Sequence, residues 1–179
     1  YDSQLEDALE LFKADPDDPA YMSMKASNAL AKVDVTLNHA KELISQGHRP
    51  LIFTCHLASA KELSDALKCP SIDGKLHPSK RQKIIYKFKS KKHGAIVATI
   101  KSAATGFNIT STNYTIFNDQ PFTPDDIEQA KKRTLRMGQD KTCFYYFIYS
   151  SETDKKISDM LDRKTKDINE VFNENSPSD

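Results

Sequence analysis

Between residues 48 and 150 the chain alternates short, densely apolar runs with longer stretches whose apolar positions recur at helical spacing. The runs are Leu51-Ile52-Phe53-Thr54, the brief Ser71-Ile72-Asp73, Ala95-Ile96-Val97-Ala98-Thr99, Tyr114-Thr115-Ile116-Phe117, and Thr142 through Tyr149. Their length and their β-branched and aromatic content predict strands. Helices are predicted between and after them: Ser59 to Leu67 on Leu63, Ala66 and Leu67; Ser79 to Lys89 on Ile84, Ile85 and Phe88; Glu152 to about Val171 on Ile157, Met160, Leu161 and Ile168. Such alternation is the mark of a parallel sheet covered by helices, an α/β fold. Upstream, Leu5, Leu9 and Phe12 predict a short amphipathic helix ending at Lys13, before the acidic turn Asp15-Pro16-Asp17-Asp18-Pro19. A longer helical pattern runs from about Tyr21 to Gln46 through Ala29, Val33, Leu37, Ala40 and Ile44, with Gly47 as its terminator. The polar end from Asn173 to Asp179, with Pro177, predicts a fraying tail. The expected organisation is a helical linker or extension over 1–47, one globular unit over 48–172 and a flexible tail over 173–179.

Composition narrows the class. A chain of 179 residues is ample for one domain with a sizeable core and too short for two nucleotide-binding lobes and a linker. No apolar run approaches a membrane span and no charged-apolar-small leader opens the sequence, so a soluble, intracellular protein is expected, cytoplasmic or, in a eukaryote, nuclear, with no membrane partner. Cys55, Cys69 and Cys143 are odd in number and widely spaced, which predicts reduced thiols and no metal site. A net charge of +1 is not the footprint of a dedicated nucleic-acid-binding domain, so any such binding must come from local patches. One basic run stands out: Lys80, Arg81, Lys83, Lys87, Lys89, Lys91, Lys92 and His93. Most of it is expected on the solvent side of an amphipathic helix, with part of it touching a phosphate backbone.

The stretch with the clearest chemistry is Gln129-Ala130-Lys131-Lys132-Arg133-Thr134-Leu135-Arg136-Met137-Gly138-Gln139. It continues a helix whose start is readable, with Thr123 as cap, Pro124 at the first helical position, and Asp125, Asp126 and Glu128 near the positive end of the helix dipole. Arg133 and Arg136, one turn apart, project from the same side near the terminating Gly138. Two planar, permanently charged guanidiniums suit a phosphate chain. Read alone, the pair fits a solvated helix face better than a phosphate site, since charged helix faces are usually just exposed.

These residues resemble the sixth motif of superfamily 2 helicases, and the ending Arg136-Met137-Gly138-Gln139 is similar to the SWI/SNF-like branch. Upstream, Asn118-Asp119-Gln120-Pro121-Phe122-Thr123-Pro124 resembles that branch's Asp-x-x-Trp-Asn-Pro segment, with Phe122 in place of the tryptophan and Thr123 in place of the asparagine. The resemblance covers about residues 48 to 165. It implies a RecA-like helicase C-terminal lobe, a three-layer αβα arrangement, which supplies Arg133 and Arg136 as arginine fingers to ATP held mainly by another lobe. Within it, Thr54, Cys55 and His56 resemble the fourth motif, where hydroxyls and backbone amides hold nucleic-acid phosphates. Asp73-Gly74-Lys75-Leu76, then Arg81 and Phe88, look like the next motif, in which Gly74 lets backbone amides approach a phosphate and Lys75 adds a charge. A strand-ending turn with Arg81 paired to an acid accounts for the same residues.

After the third strand, Thr99-Ile100-Lys101-Ser102-Ala103-Ala104-Thr105-Gly106-Phe107-Asn108 resembles motif five. By that likeness Thr99, Lys101 and Ser102 contact a nucleic-acid backbone, while Gly106, Asn108 and, from the arginine helix, Gln129 approach the nucleotide. Ala103 and Ala104 stand where two glycines are common, and Ile100 where a hydroxyl is frequent. Cys55 beside His56 could suggest a nucleophile, but no carboxylate partner is identifiable to complete a triad, and a packed cysteine is expected.

The chain contains no G-x-x-x-x-G-K-[ST] loop and no Asp-Glu pair at a strand end suited to magnesium. The resemblance therefore implies one lobe of an ATP-dependent DNA helicase or translocase, with ATP and magnesium bound mainly by an N-terminal RecA-like lobe, and no hydrolysis by this chain alone. DNA is the expected partner through backbone contacts, with RNA open. The rival expectations are a non-catalytic nucleic-acid-binding or protein-interaction module that keeps the fold, and an independent nucleotide-binding enzyme.

Overall fold

The structure is a computed structural model and describes residues 19–92, 94–103, 108–121, 124–134, 141–150 and 155. Five strands form one sheet: β1 (Leu51–Thr54), β2 (Ser71–Ile72), β3 (Ile96–Thr99), β4 (Tyr114–Phe117) and β5 (Phe144–Phe147). Their order is β2-β3-β1-β4-β5, and every neighbouring pair is parallel. The helices are α1 (Pro19–Ala31), α2 (Val33–Ser45), α3 (Leu57–Leu67), α4 (Pro78–Lys89), α5 (Ile100–Ala103) and α6 (Pro124–Thr134).

The central strands are buried on both faces because side chains alternate across the sheet. Leu51, Phe53, Ile96, Ala98 and Phe117 face a core shared with Ile85 and Phe88 of α4 and Ala130 of α6. Ile52, Val97 and Ile116 face the opposite core, shared with Val33, Ala40 and Leu43 of α2 and Ala60 and Leu63 of α3. The expected three layers are thus present. Phe117 lies between Phe53 and Phe147, with ring centroids 5.5 and 4.8 Å away.

The single helix expected from Tyr21 to Gln46 is two helices meeting at Lys32. The cause lies just past β4: the Asn118 amide donates to the Ala29 carbonyl at 2.9 Å, and its Oδ1 accepts from the Thr36 hydroxyl at 2.7 Å. A side chain inserted into the main-chain ladder breaks it there, and Lys32 N–H turns to the Ala29 carbonyl instead, three residues back at 3.3 Å. Gly47 ends α2 as expected, at φ +84°, with Gly47 N–H bonded to Ile44 O and His48 N–H to Leu43 O. The predicted strands are present, shortened by one to four residues at three of them. The one-turn α5 directly after β3 was not anticipated. The expected helix ending at Lys13 and the tail lie outside the described residues, as do Thr123, Gly106, Arg136 and Gly138; of the helix expected over 152–171 only Lys155 is described.

Candidate functional site

Because all strands run the same way, their carboxyl ends share one edge of the sheet, where ligands of open parallel sheets are bound. Residues 54–56, 73–77, 99–103 and 118–121 leave the strands there. The centre of this edge is Asp119, only 6% exposed. It accepts a short hydrogen bond from the Thr54 hydroxyl, one from Cys55 N–H at 2.9 Å and one from the Asn118 amide at 3.1 Å. The Thr54 hydroxyl also accepts from His56 N–H at 3.4 Å. The Thr54 hydroxyl and the Cys55 amide, expected to hold a phosphate, are therefore turned inward onto a carboxylate, and the His56 amide onto the Thr54 hydroxyl. Asp119 was not among the expected site residues. The signal for it was available: a polar Asn118-Asp119 pair directly follows a buried strand, where a carboxylate needs partners.

Asp119 is also the carboxylate that the Cys55-His56 pair lacked in sequence, yet it does not make a nucleophile. Burial first, then Asp119 itself, push the Cys55 thiol well above its ordinary value, away from the thiolate that reactivity needs. Burial holds His56 below its ordinary value, opposed by Asp119 with Oδ2 at 4.0 Å from Nε2, and that nitrogen has no hydrogen-bond partner among the described residues. On α1, Lys25 is lowered to about 8, chiefly by burial, against the opposing pull of Cys55 and Asp119.

The neighbouring loops divide into inward and outward side chains. Asp73 accepts from Lys75 N–H at 2.8 Å and Leu76 N–H bonds to its carbonyl at 3.3 Å, which closes a tight turn with Gly74 and Lys75 exposed. Arg81 is buried and donates to the Leu76 carbonyl at 3.1 Å, so it braces this turn from beneath. Thr99 and Ser102 are buried, and the Ser102 hydroxyl donates to Thr99 O at 2.6 Å, tying α5 to the end of β3. Lys101 is exposed. Of the residues expected to meet nucleic acid, Gly74, Lys75 and Lys101 are outward, while Thr54, Thr99, Ser102 and Arg81 shape the loops that carry them.

Helix α6 has Asp125 and Asp126 in its first turn and Lys131, Lys132 and Arg133 in its last, charges that complement its dipole. Its end is fixed to the loop after α5, since Ile109 N–H donates to the Arg133 carbonyl at 2.9 Å. The Arg133 side chain is half-buried, and its Nε is buried without a hydrogen bond among the described residues. Asn108, next to Ile109, and Gln129, one turn before Arg133, are exposed. Thr134 and Tyr145 join hydroxyls at 3.1 Å and Lys131 lies over the rings of Tyr145 and Phe147, so α6 is anchored across β5. Among the described residues no three His, Cys, Asp or Glu converge on a metal position.

The model of the helicase conserved C-terminal domain matches residues 32–138, from the joint of α1 and α2 through the arginine helix. The chain belongs to that family. It is a C-terminal RecA-like lobe of the SWI/SNF-like branch of superfamily 2. It is 27% identical over 160 residues to the protein YwqA of Bacillus subtilis (strain 168), covering 83% of this chain and 17% of that protein. It is 24% identical over 158 residues to the DNA annealing helicase and endonuclease ZRANB3 of Mus musculus, covering 84% of this chain and 15% of that protein. The crystal structure of the C-terminal part of the Fun30 ATPase domain superposes with a TM-score of 0.64 at 26% identity, covering 73% of this chain and 44% of that one. The chain therefore spans less than a fifth of these two relatives.

Proposed function

We propose that this chain is the second motor lobe of an ATP-dependent DNA helicase or translocase, bringing Arg133 and Arg136 as arginine fingers to ATP held on an N-terminal lobe of the same protein. The observation that carries the reading is the Ile109-to-Arg133 main-chain bond, which joins the arginine helix to the loop that follows β3 and α5. A ligand that shifts one element shifts the other. Exposed Asn108 and Gln129, together with Gly106, would meet the nucleotide from this side; Gly74, Lys75 and Lys101 would meet the phosphodiester backbone, with His56 at the rim. Contacts of that kind hold DNA without reading its sequence. The DNA annealing activity named for ZRANB3 supports DNA as the track.

As the terminal phosphate is transferred, charge grows on its oxygens, and a guanidinium placed there is worth about three to five orders of magnitude in rate. Magnesium would come with the nucleotide, held mainly on the other lobe. When the lobes part after hydrolysis, the fingers withdraw and the grip on the backbone moves along. This lobe alone would hydrolyse no ATP. The test is DNA-stimulated ATP turnover by the polypeptide carrying both lobes: Arg133→Ala and Arg136→Ala should each lower kcat about a thousandfold while DNA affinity holds within a few-fold. Unchanged turnover in both variants would overturn the finger assignment and leave a non-catalytic module with the same fold.

A further inference from the structure

The outer face of α4 is a concentrated positive surface that the crevice does not use. From Gly74 to Asn118 the sequence holds eight lysines and one arginine and not one carboxylate, in a chain whose total charge is only +1. The structure sets half of these lysines on one helix and two more just past its end. Lys80, Lys83, Lys87 and Lys89 are exposed along α4, and Lys91 and Lys92 follow at its end. None of these six forms an ion pair among the described residues. Lys80, Lys83 and Lys87 stand three and four residues apart, a spacing that aligns them in a row, and Tyr86 beside them is 71% exposed.

Helix energetics do not account for this pattern. Lys87 and Lys89 suit the last turn, but Lys80 sits near the positive end, where α4 has no acidic residue and a cation is unfavourable. Lysines at i, i+3 and i, i+4 repel one another. Lys91 adopts φ +62°, in the position that closes a helix and that glycine fills most easily, with Lys91 N–H on Phe88 O and Lys92 N–H on Lys87 O. A lysine there strains the backbone and adds one more cation to the same flank. The isolated fold carries this concentration of charge at a cost that an external anion would relieve.

We propose that the outer face of α4 is a second binding surface for the phosphate backbone of duplex DNA, outside the strand-end crevice. This rests on the DNA-translocase reading. In a βα unit of a parallel sheet the helix runs back antiparallel to its strand, so the row leads from the crevice mouth at Lys75 and Lys80 down the flank to Lys91 and Lys92. From Lys80 to Lys87 the helix rises about 10 Å, the axial span of about three phosphates on one strand. The Tyr86 hydroxyl adds a neutral donor. A segment of duplex leaving the crevice would be held along this row, lengthening the grip while the fingers open.

The test is fluorescence anisotropy of a labelled 20-bp duplex, titrated with the whole chain between 50 and 300 mM salt. Replacing Lys80, Lys83 and Lys87 together by Gln should lower affinity about a hundredfold at 0.1 M salt and reduce the salt slope by about 2.7. A charge-matched control, Lys41→Gln with Lys61→Gln and Lys141→Gln, should change neither by more than a few-fold. Lys91→Gly separates binding from folding: it should raise Tm by relieving the left-handed lysine and still weaken the duplex. If the α4 triple variant equals the control while Lys75→Gln with Lys101→Gln loses binding, the second surface is wrong and the crevice reading stands. If the unaltered chain binds no duplex, the DNA reading itself fails. Tighter binding to sodium polyglutamate than to duplex, lost in the α4 triple variant, would assign the face to an acidic polypeptide and overturn the proposal.

Discussion

Removing the Asp119 carboxylate tests whether the strand-end edge is held together from within. In Asp119→Ala three donors lose their acceptor: the Thr54 hydroxyl, Cys55 N–H and one Asn118 N–H. Thr54 and Asn118 are fully buried, so water cannot replace the carboxylate there without opening the edge. Each orphaned donor costs about 1–3 kcal/mol. Against this, the variant no longer buries a charge, which returns several kcal/mol. The balance is a loss of about 2–4 kcal/mol, and Asp119→Asn, which keeps one carbonyl acceptor, should lose about 1–2 kcal/mol. Urea unfolding followed by far-UV circular dichroism measures both. A double-mutant cycle with Thr54→Val isolates the hydroxyl-carboxylate bond and should give a coupling of about 1–2 kcal/mol. If Asp119→Ala costs less than about 0.5 kcal/mol, or if the cycle is additive, Asp119 does not organise this edge and its network is incidental.

Three further outcomes follow from the geometry. Gly47→Ala should lose about 1 kcal/mol in urea unfolding, because φ is +84° and no atom lies within 4 Å of an added Cβ, so the effect is backbone strain alone; Gly47→Asn should lose less. Phe117→Ala, fully buried between Phe53 and Phe147, should cost about 3–5 kcal/mol by the same measurement. His56 is held below its ordinary value by burial, so the unfolded chain binds its proton more readily than the folded one; stability should fall as pH drops from about 6.5 through the lower folded value, and His56→Gln should flatten that part of the profile between pH 7.5 and 5.5. A His56→Gln profile as steep as that of the unaltered chain would refute the burial argument.

The sheet was legible because its strands are buried on both faces, and dense runs such as Leu51-Ile52-Phe53-Thr54 have few alternatives at that length. The arginine helix was legible for another reason: its acidic start and basic end agree with the dipole, so local and global preferences coincide. The break at Lys32 was not, because periodicity continues through it and the cause, Asn118, lies 89 residues away from Ala29 in sequence. The same limit hid Asp119. Sequence spacing identifies which loops reach the strand ends, but not which hydroxyls turn outward, since that depends on a partner brought in by another strand. Thr54, Thr99 and Ser102 have the composition of ligand-binding loops and the geometry of internal braces.

That division bears on how such a lobe could do work. Asp119 ties the loop after β1 to the end of β4, the Ser102 hydroxyl ties α5 to β3, and Ile109 ties the same region to Arg133. With the inner donors committed, little among the described residues of this edge is left to rearrange around a ligand, apart from long surface side chains such as Lys75 and Lys101. On the proposed function, binding energy gained at the nucleotide would find little movement in the described loops to absorb it. On that function it would appear as motion of the whole lobe, which is the requirement for converting a change at the γ-phosphate into displacement along a backbone. Loosening one tether should therefore uncouple the two events: in the two-lobed polypeptide, Asp119→Asn should keep much of its ATP turnover while losing distance moved per ATP, whereas a variant that kept its step would show that the loops are not what transmits it.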